Sequence, residues 1–266
     1  MKKLGIALGG GGSRCFAHLG MLEELQRNKI KIDYIVASST GSLIAALVSN
    51  EVPIEKIKEE FYKTTTRFKW TVPNGATTLS QMAVKSILKN LLENRLIEKS
   101  AIPVTFTGTN MNNGNEVLLE SGDIIKAVCA SCAHPLVNRP IRYGRQFIAD
   151  GGILDNIPSY ICRQKVGKNV IVLTSSLGGT LDPEIGRLSK INIMFRAFYI
   201  PLIHFRKIMV NQYSDIIIEP LSDIKFNIKD WRKIMNFRDL DAMEDCYKRG
   251  LEETRRKIPV IKKMLR

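Results

Sequence analysis

The chain has 266 residues, of which 44% are hydrophobic, so it can bury a large core within a single α/β domain. Its 40 lysines and arginines outnumber the 26 acidic residues, and the net charge of +14 favours anionic partners, either acidic lipid surfaces or nucleic acid. The basic residues are spread along the chain without a recognisable nucleic-acid-binding motif. We therefore expect no nucleic-acid partner.

The apolar runs of the chain indicate where in the cell we expect the protein. The run that follows the first residues is short and leads into four glycines without a cleavage-type sequence, unlike a signal peptide. No stretch of about 18 uninterrupted apolar residues occurs, so a spanning helix is not expected. We predict a cytoplasmic protein.

The first 50 residues predict two strand-helix units. Leu4–Leu8 is an apolar strand, four glycines at 9–12 follow it, and residues 16–26 place apolar side chains at helical spacing. Residues 30–37 predict a second strand and residues 42–48 the start of a second helix. Units of this length predict a parallel sheet with helices on both faces.

The middle of the chain predicts helices and then a hairpin. Residues 54–100 have helical periodicity around a polar segment, 64–75, which we interpret as a helix connection rather than a mobile flap. Val104–Asn110 and Glu116–Leu119 are strands joined by an Asn-Gly turn, a strong hairpin signal. The remaining predicted elements are a helix over 123–132, strands over 145–149, 168–175 and 214–219, and a charged closing helix over 239–257.

The apolar segment 191–205 is too short and too interrupted to span a bilayer. Basic residues flank it on both sides, namely Arg187, Lys190, Arg206 and Lys207. The segment is either an interfacial or lid helix that admits acyl chains, or an ordinary packed helix that is broken at Pro201. We favour the packed helix.

Cysteine usage indicates a reducing compartment. The five cysteines are an odd number, and only Cys129 and Cys132 form a Cys-x-x-Cys unit. The three histidines do not cluster with the cysteines at metal-ligand spacing, so no zinc site is predicted. We interpret Cys129 and Cys132 as buried reduced thiols rather than as a redox pair.

Residues 37–41, Ala-Ser-Ser-Thr-Gly, resemble the nucleophile elbow G-x-S-x-G, in which a strained turn between strand and helix lifts a serine hydroxyl above the sheet edge. The register of the motif and Gly41 select Ser39 over Ser38 and Ser42. The competing interpretation is that the hydroxyl at this turn only caps the following helix.

The glycines at 9–12 fit the same chemistry. Acyl transfer needs backbone N–H groups aimed at the developing oxyanion, and glycine lets a loop approach the substrate closely. A dinucleotide-binding loop would need glycine at the position of Arg14 or Cys15, and a phosphate-binding loop would need Gly-Lys followed by Ser or Thr. The spacing excludes both.

A serine nucleophile also needs a base, and the residues leave two schemes open. The chain has only His18, His134 and His204. One scheme is Ser39, Asp150 and His204, in the chain order of α/β-hydrolases. In the other, Asp150 takes the serine proton itself, from its place between a predicted strand and two glycines.

Three motifs in order resemble the patatin-like phospholipase family: Gly-Gly-Gly-Ser-Arg-Cys at 10–15, the elbow at Ser39, and Asp-Gly-Gly at 150–152. Further similar stretches are residues 17–22, 130–135 and 150–158. The resemblance implies a three-layer α/β/α sandwich with a mostly parallel central sheet. It extends over residues 4–220, so we expect a hydrolase domain over 1–220 and a C-terminal helical extension, 221–266, packed on the same domain.

Carried over position by position, the resemblance makes Ser39 the nucleophile and Asp150 the general base. It assigns the oxyanion hole to the backbone N–H groups of Gly10, Gly11, Gly12, Ser13 and Arg14. Two positions depart from the family pattern, because Cys15 and Ala37 stand where the family has glycine. A Cβ at Cys15 would shift the loop if that position requires a positive φ.

The function that the resemblance implies is a serine lipid acyl hydrolase of the phospholipase A or esterase type, which works through an acyl-enzyme without metal or other cofactor. A lipid or ester substrate implies transient contact with an anionic membrane surface, at the inner membrane face. Arg14 and His134 are candidates for binding a lipid phosphate, with ordinary surface roles as the simpler interpretation. Two alternatives stay open: a Ser-Asp-His esterase on soluble esters, and a noncatalytic lipid-binding or regulatory protein with a decayed oxyanion loop.

Overall fold

The computed structural model describes residues 2–67, 81–93, 96–135, 138–183, 189–226 and 237–266. Within these ranges the helices are α1 (Phe16–Arg27), α2 (Thr40–Ser49), α3 (Ile54–Arg67), α4 (Gln81–Leu91), α5 (Ile124–Ser131), α6 (Ser159–Val166), α7 (Lys190–Tyr213) and α8 (Leu240–Leu265). The strands are β1 (Leu4–Leu8), β2 (Tyr34–Ala37), β3 (Val104–Asn110), β4 (Glu116–Leu119), β5 (Ile141–Tyr143), β6 (Gln146–Asp150), β7 (Ile171–Ser175), β8 (Thr180–Leu181), β9 (Ile216–Ile218) and β10 (Lys225–Phe226).

Eight strands form one mixed sheet in which successive neighbours are β5, β6, β3, β2, β1, β7 and β9, with β4 paired to β3. The five strands β3, β2, β1, β7 and β9 are parallel to one another. β4 pairs antiparallel with β3 as the predicted hairpin. β8 and β10 pair separately from this sheet.

Helices cover both faces of the sheet. Alternate residues of a strand point to opposite faces, so each face has apolar side chains that a layer of helices buries. In β1, Leu4, Ile6 and Leu8 point into a large core that also receives apolar residues of α1 to α5 and α8. Ala7 points to the other face and contributes to a smaller cluster with Cys162 of α6. The predicted α/β/α sandwich with a mostly parallel central sheet is confirmed.

The pairing of β3 brings the ends of β2 and β6 together. β4 pairs with Phe106 to Thr109 along one edge of β3. Phe106 also pairs with β2 and Gly108 also pairs with β6, so β2 and β6 lie along the other edge of β3. β2 pairs with the first residues of β3, and β6 runs antiparallel along its last residues. The chain after Ala37 therefore faces Asp150 at the end of β6.

α8 lies unusually close to α1. A Cβ on Gly250 would lie 2.0 Å from the carbonyl oxygen of Ala17, so the two backbones approach at a position that only glycine can occupy. Gly20 of α1 is held against α8 in the same way. The start of the chain reaches the end of this helix, because the Lys2 N–H donates to the Leu265 carbonyl at 2.8 Å.

Several predicted boundaries differ from the structure. The second strand begins at Tyr34, because the residues before it connect it to α1, and the closing helix runs past its predicted end at 257 to Leu265. The polar segment predicted at 64–75 falls partly inside α3, and the question of a connection or a flap concerns 68–80, outside the described residues.

The prediction of a helix broken at Pro201 is wrong, because α7 is continuous over 24 residues. Proline removes the N–H that would bond to the carbonyl of Ala197, but both residues lie on the exposed side of α7, which lessens the cost of that lost bond. In the described part of the chain, no helix combines the length and the apolar character needed to cross a bilayer.

Candidate active site

Ser39 lies at the turn between β2 and α2 with φ 52° and ψ −132°. A positive φ is strained for a residue with a side chain, and such strain is what a nucleophile elbow stores. Ser39 is partly exposed, whereas Ser38 and Ser42 are buried. Of these three hydroxyls, a substrate can therefore reach Ser39.

Neighbouring hydroxyl groups hold the elbow in place. Ser42 Oγ donates to the Ala37 carbonyl at 3.0 Å, so the hydrogen between Ser131 Oγ and Ser42 Oγ, 2.8 Å apart, comes from Ser131. Ser131 Oγ in turn accepts the Ser39 N–H at 3.1 Å. The hydroxyls of Ser42 and Ser131 are buried, and this chain of bonds ties the strained backbone to α2 and α5.

The hydroxyl of Ser39 donates to Asp150 Oδ2 at 2.8 Å. It makes no capping bond to α2, although Ser39 occupies the N-cap position. Asp150 ends β6 and is 2% exposed, and its second oxygen accepts the Gly152 N–H at 2.8 Å. The carboxylate is therefore fixed in orientation, with one oxygen directed at the elbow serine.

Burial raises the pKa of Asp150 above the ordinary value for aspartate. The positive charge of His134 and the hydrogen bonds from Ser39 and Gly152 lower the pKa in part, since they favour the charged form. A carboxylate with a raised pKa is a stronger base than a solvated aspartate.

The glycine loop approaches Ser39 closely, because a Cβ on Gly10 would lie 2.7 Å from Ser39 Cβ. Three of the five predicted oxyanion donors already have partners: the Gly10 N–H donates to the Asn156 carbonyl at 2.9 Å, the Gly11 N–H to Thr40 Oγ1 at 3.2 Å, and the Arg14 N–H to the Gly11 carbonyl at 3.2 Å. Among the described residues the Gly12 N–H has no such bond. Of these four donors, the Gly12 N–H is the one that remains available for the predicted oxyanion role, and the role of Ser13 stays a prediction.

The two departures from the family pattern fit the fold without strain. Cys15 has φ −57° at the start of α1 and is fully buried in the large core, so it needs no positive φ. The left-handed position in this loop is Gly12, with φ +61°, and it has kept its glycine. Ala37 is an ordinary buried strand residue at the end of β2.

The three histidines have separate environments. His18 was not singled out by sequence reasoning: its Nε2 lies 2.7 Å from the Gly9 carbonyl and its Nδ1 2.8 Å from Ser175 Oγ. Burial lowers the pKa of His18 to about 4, so the ring is neutral, Nε2–H donates to Gly9 and Nδ1 accepts from Ser175. His18 thus anchors the glycine loop to β7, which only the tertiary contact reveals.

His204 lies on the exposed side of α7, and in the described ranges it makes no hydrogen bond to Ser39 or Asp150. His134 is the histidine whose charge acts on Asp150. The structure therefore brings together Ser39 and Asp150 and leaves His204 apart from them.

All five cysteines are buried and free of disulfide bonds. Burial raises the pKa of Cys132 and sets the pKa of Cys129 at about 11, so both are protonated thiols at neutral pH. Cys132 Sγ donates to the Ser39 carbonyl at 3.0 Å, which adds one more contact that positions the elbow.

A pocket of about 60 Å³ lies between the glycine loop and α7. Its lining includes Gly10, which lies against Ser39, together with Asn156 and the two cationic side chains of Arg14 and Arg206. Arg14 Nη1 also donates to the Leu177 carbonyl at 3.3 Å, so this guanidinium has a fixed orientation. The space holds about four water molecules or a group of similar size.

The sequence profile of the patatin-like phospholipase family matches residues 6–162. An uncharacterized NTE family protein of Mycobacterium bovis, Mb2594, is 27% identical over 176 residues, which is 64% of this chain and 30% of that protein. The lysophospholipase NTE1 of Debaryomyces hansenii is 30% identical over 183 residues, 65% of this chain and 12% of that protein. This chain thus spans less than a third of the length of either relative.

Solved structures with a similar course of the chain include VipD from Legionella pneumophila, with a TM-score of 0.45 and 13% identity over 95% of this chain and 66% of VipD. The ExoU-SpcU complex from Pseudomonas aeruginosa gives a TM-score of 0.43 with 12% identity, over 99% of this chain and 52% of the matched one. The family profile covers more than half of the chain and includes the glycine loop and Ser39. The chain therefore belongs to the patatin-like phospholipase family.

Proposed function

We propose that this protein is a serine lipid acyl hydrolase of the phospholipase A or esterase type, in which Ser39 and Asp150 act as a two-residue catalytic pair. The observation that carries the proposal is the 2.8 Å hydrogen bond from Ser39 Oγ to Asp150 Oδ2 at a strained turn. A carboxylate in direct contact with a serine hydroxyl can accept its proton without a histidine. Family membership and the lysophospholipase relative support a lipid ester as the substrate.

The reaction follows from this geometry in two halves. Asp150 takes the Ser39 proton while Ser39 Oγ attacks the ester carbonyl carbon, and the Gly12 N–H donates to the oxyanion that forms. Asp150 then gives its proton to the departing alcohol, leaving an acyl-enzyme. In the second half Asp150 takes a proton from water, the hydroxide attacks the acyl carbonyl, and Ser39 leaves with the proton.

The pocket beside the glycine loop supports an anionic lipid as the substrate. Arg14 and Arg206 place two guanidinium groups next to Gly10, which lies against Ser39. A phosphate attached to the scissile ester would find there the charge and the planar donors that guanidinium groups offer. Such a substrate resides in a membrane, so the proposal includes transient contact with an anionic membrane surface, which the net charge of +14 favours.

A fluorophosphonate probe tests the catalytic pair directly, because it reacts only with an activated serine. We expect labelling of the purified protein, mapped by mass spectrometry to Ser39. Labelling should disappear in Ser39→Ala and in Asp150→Asn, whereas the matched control His204→Ala should label like the wild type. Loss of labelling in His204→Ala would replace the pair by a Ser-Asp-His triad. A wild type that does not label would favour the noncatalytic alternative.

A further inference from the structure

The outward side of α7 carries an unusual concentration of exposed apolar side chains. Of the fourteen exposed large hydrophobic side chains among the described residues, seven belong to this one helix, and Phe198, at 69%, is the most exposed of all. The seven are Ile193, Met194, Phe198, Ile200, Leu202, Phe205 and Ile208. Scattered exposed leucines need no explanation, but a continuous apolar face on one helix marks a surface with a partner.

The inward side of α7 is a separate stripe. Seven of its less exposed residues follow one another in steps of four and three, which keeps them on one face of the helix, and the half-buried Met209 lies beside them. The seven are Asn192, Arg196, Tyr199, Ile203, Arg206, Val210 and Tyr213. Tyr199, Ile203 and Arg206 of this stripe line the pocket beside the glycine loop. The exposed side chains of Met194, Phe198 and Phe205 lie on the opposite side, so α7 separates that pocket from whatever covers its outer face.

The charge of α7 identifies the kind of partner. The helix contains four basic residues, Lys190, Arg196, Arg206 and Lys207, and no acidic residue. An apolar face bordered by lysine is the pattern of helices that lie in the interface of an anionic bilayer. A second copy of the chain would bring two such basic helices together on a protein of net charge +14, which opposes self-association.

We propose that the outer face of α7 docks on the surface of an anionic lipid bilayer, with Met194, Phe198 and Phe205 inserted between the acyl chains. Lys190 and Lys207, exposed near the two ends of the apolar segment, contact the lipid head groups. The substrate then has to cross only the thickness of one helix to reach the pocket beside Gly10. This inference rests on the proposed lipid hydrolase function, and it adds the surface by which the enzyme reaches its substrate.

Vesicle binding of an α7 variant tests the proposal. Large unilamellar vesicles of phosphatidylglycerol and phosphatidylcholine would be sedimented with the wild type and with Met194→Ser/Phe198→Ser/Phe205→Ser. We expect the wild type to bind and the variant to partition about a hundredfold more weakly, because three apolar side chains no longer enter the bilayer. The matched control Met82→Ser/Met111→Ser/Val260→Ser changes three exposed apolar residues elsewhere and should bind like the wild type.

Two further measurements separate the possible failures. Fluorophosphonate labelling of Ser39 in solution should be equal in the wild type, the α7 variant and the control, which also reports that each has folded. Equal vesicle binding by the wild type and the α7 variant would overturn the docking surface. A wild type that is dimeric and an α7 variant that is monomeric would overturn it as well. Vesicle binding through α7 without any labelling of Ser39 would leave the docking surface standing and overturn the hydrolase proposal.

Discussion

The elbow at Ser39 and the outer face of α7 lie on either side of one pocket, and they are built in opposite ways. At the elbow, hydroxyls and amides have partners within the protein, from Ser42 through Ser131 to the Ser39 N–H, and from the Ser39 hydroxyl to Asp150. On α7 the outward apolar side chains have no such partner and lie open to solvent. The elbow is complete without anything outside the protein, whereas the helix face is not.

If both proposals hold, bond cleavage and lipid contact belong to different residues. Changes at the elbow should alter the reaction and leave membrane binding intact, and changes on α7 should do the reverse. Effects at the elbow should also be larger and insensitive to salt, because buried hydrogen bonds and charges are screened less than those at the surface.

The largest effect is expected from Asp150→Asn, which keeps the size and one oxygen of the side chain but removes the base. Hydrolysis of phosphatidylglycerol in vesicles should fall by about a thousandfold, within the range for loss of a general base. Sedimentation with the same vesicles should be unchanged. A variant that retains a tenth of the wild-type rate would show that Asp150 is not the base, and a loss of vesicle binding would break the separation between the two regions.

The next effect concerns stability. Burial raises the pKa of Asp155 from 3.8 to about 6, against the hydrogen bond from the Ile157 N–H. As the pH rises through this interval, the unfolded chain loses its proton first, so the folded state becomes less favoured. At about 1.36 kcal/mol per pH unit, the free energy of unfolding should fall by up to about 3 kcal/mol.

Asp155→Asn keeps an oxygen that can accept the Ile157 N–H and removes the titration. Urea unfolding should show that the variant is more stable than the wild type above a pH of about 6 and equally stable below 3.8. If the wild type and the variant lost stability in parallel over this interval, other groups would be responsible. Vesicle binding should not differ between the wild type and Asp155→Asn.

A smaller effect is expected from Cys15→Gly, which restores the family residue at the end of the first motif. The thiol fills the large core at a helical φ, so its removal should lower the free energy of unfolding by about 1–2 kcal/mol through a cavity and a more flexible chain. The rate of fluorophosphonate labelling should stay within about twofold, since the position does not need a positive φ. A marked rise in labelling would show that Cys15 distorts the loop.

The smallest effect is expected on α7 itself. Lys207→Gln removes one exposed charge, and binding to anionic vesicles should weaken by about fivefold, because a lysine near such a surface contributes about 1 kcal/mol. Rising salt should reduce the difference between wild type and variant, whereas labelling of Ser39 should not respond. If Lys207→Gln weakened binding to zwitterionic vesicles just as much, the contribution of Lys207 to binding would not be electrostatic.

The sequence predicted the elements that have a local signal. β1, β3 and β4 have the predicted bounds, because each is an apolar run that ends at glycines or at an Asn-Gly turn. Local signals also located Ser39 and Asp150 as candidates. They could not predict that the two side chains meet, because that depends on β2 and β6 meeting end to end along β3, a contact between residues 111 positions apart.

Two features had no local signal or a misleading one. His18 is defined by its contacts with Gly9 and Ser175, which no spacing predicts. Pro201 predicted a break in the helix, because a residue inside a helix normally donates its backbone N–H to a carbonyl and proline has none. On the exposed side of α7 that requirement is weaker, and the apolar residues around the proline were therefore misplaced into a packed core.

The hydrogen bond between Lys2 and Leu265 holds the two ends of the described chain next to each other. Both ends lie where β1 begins, and Ser39 lies beyond its other end, about 16 Å away along a five-residue strand. A domain fused at either terminus would therefore start from the edge of the sheet opposite Ser39. Tethers, reporter fusions or a short linker that joins the two ends can therefore be attached at the end of β1 away from Ser39.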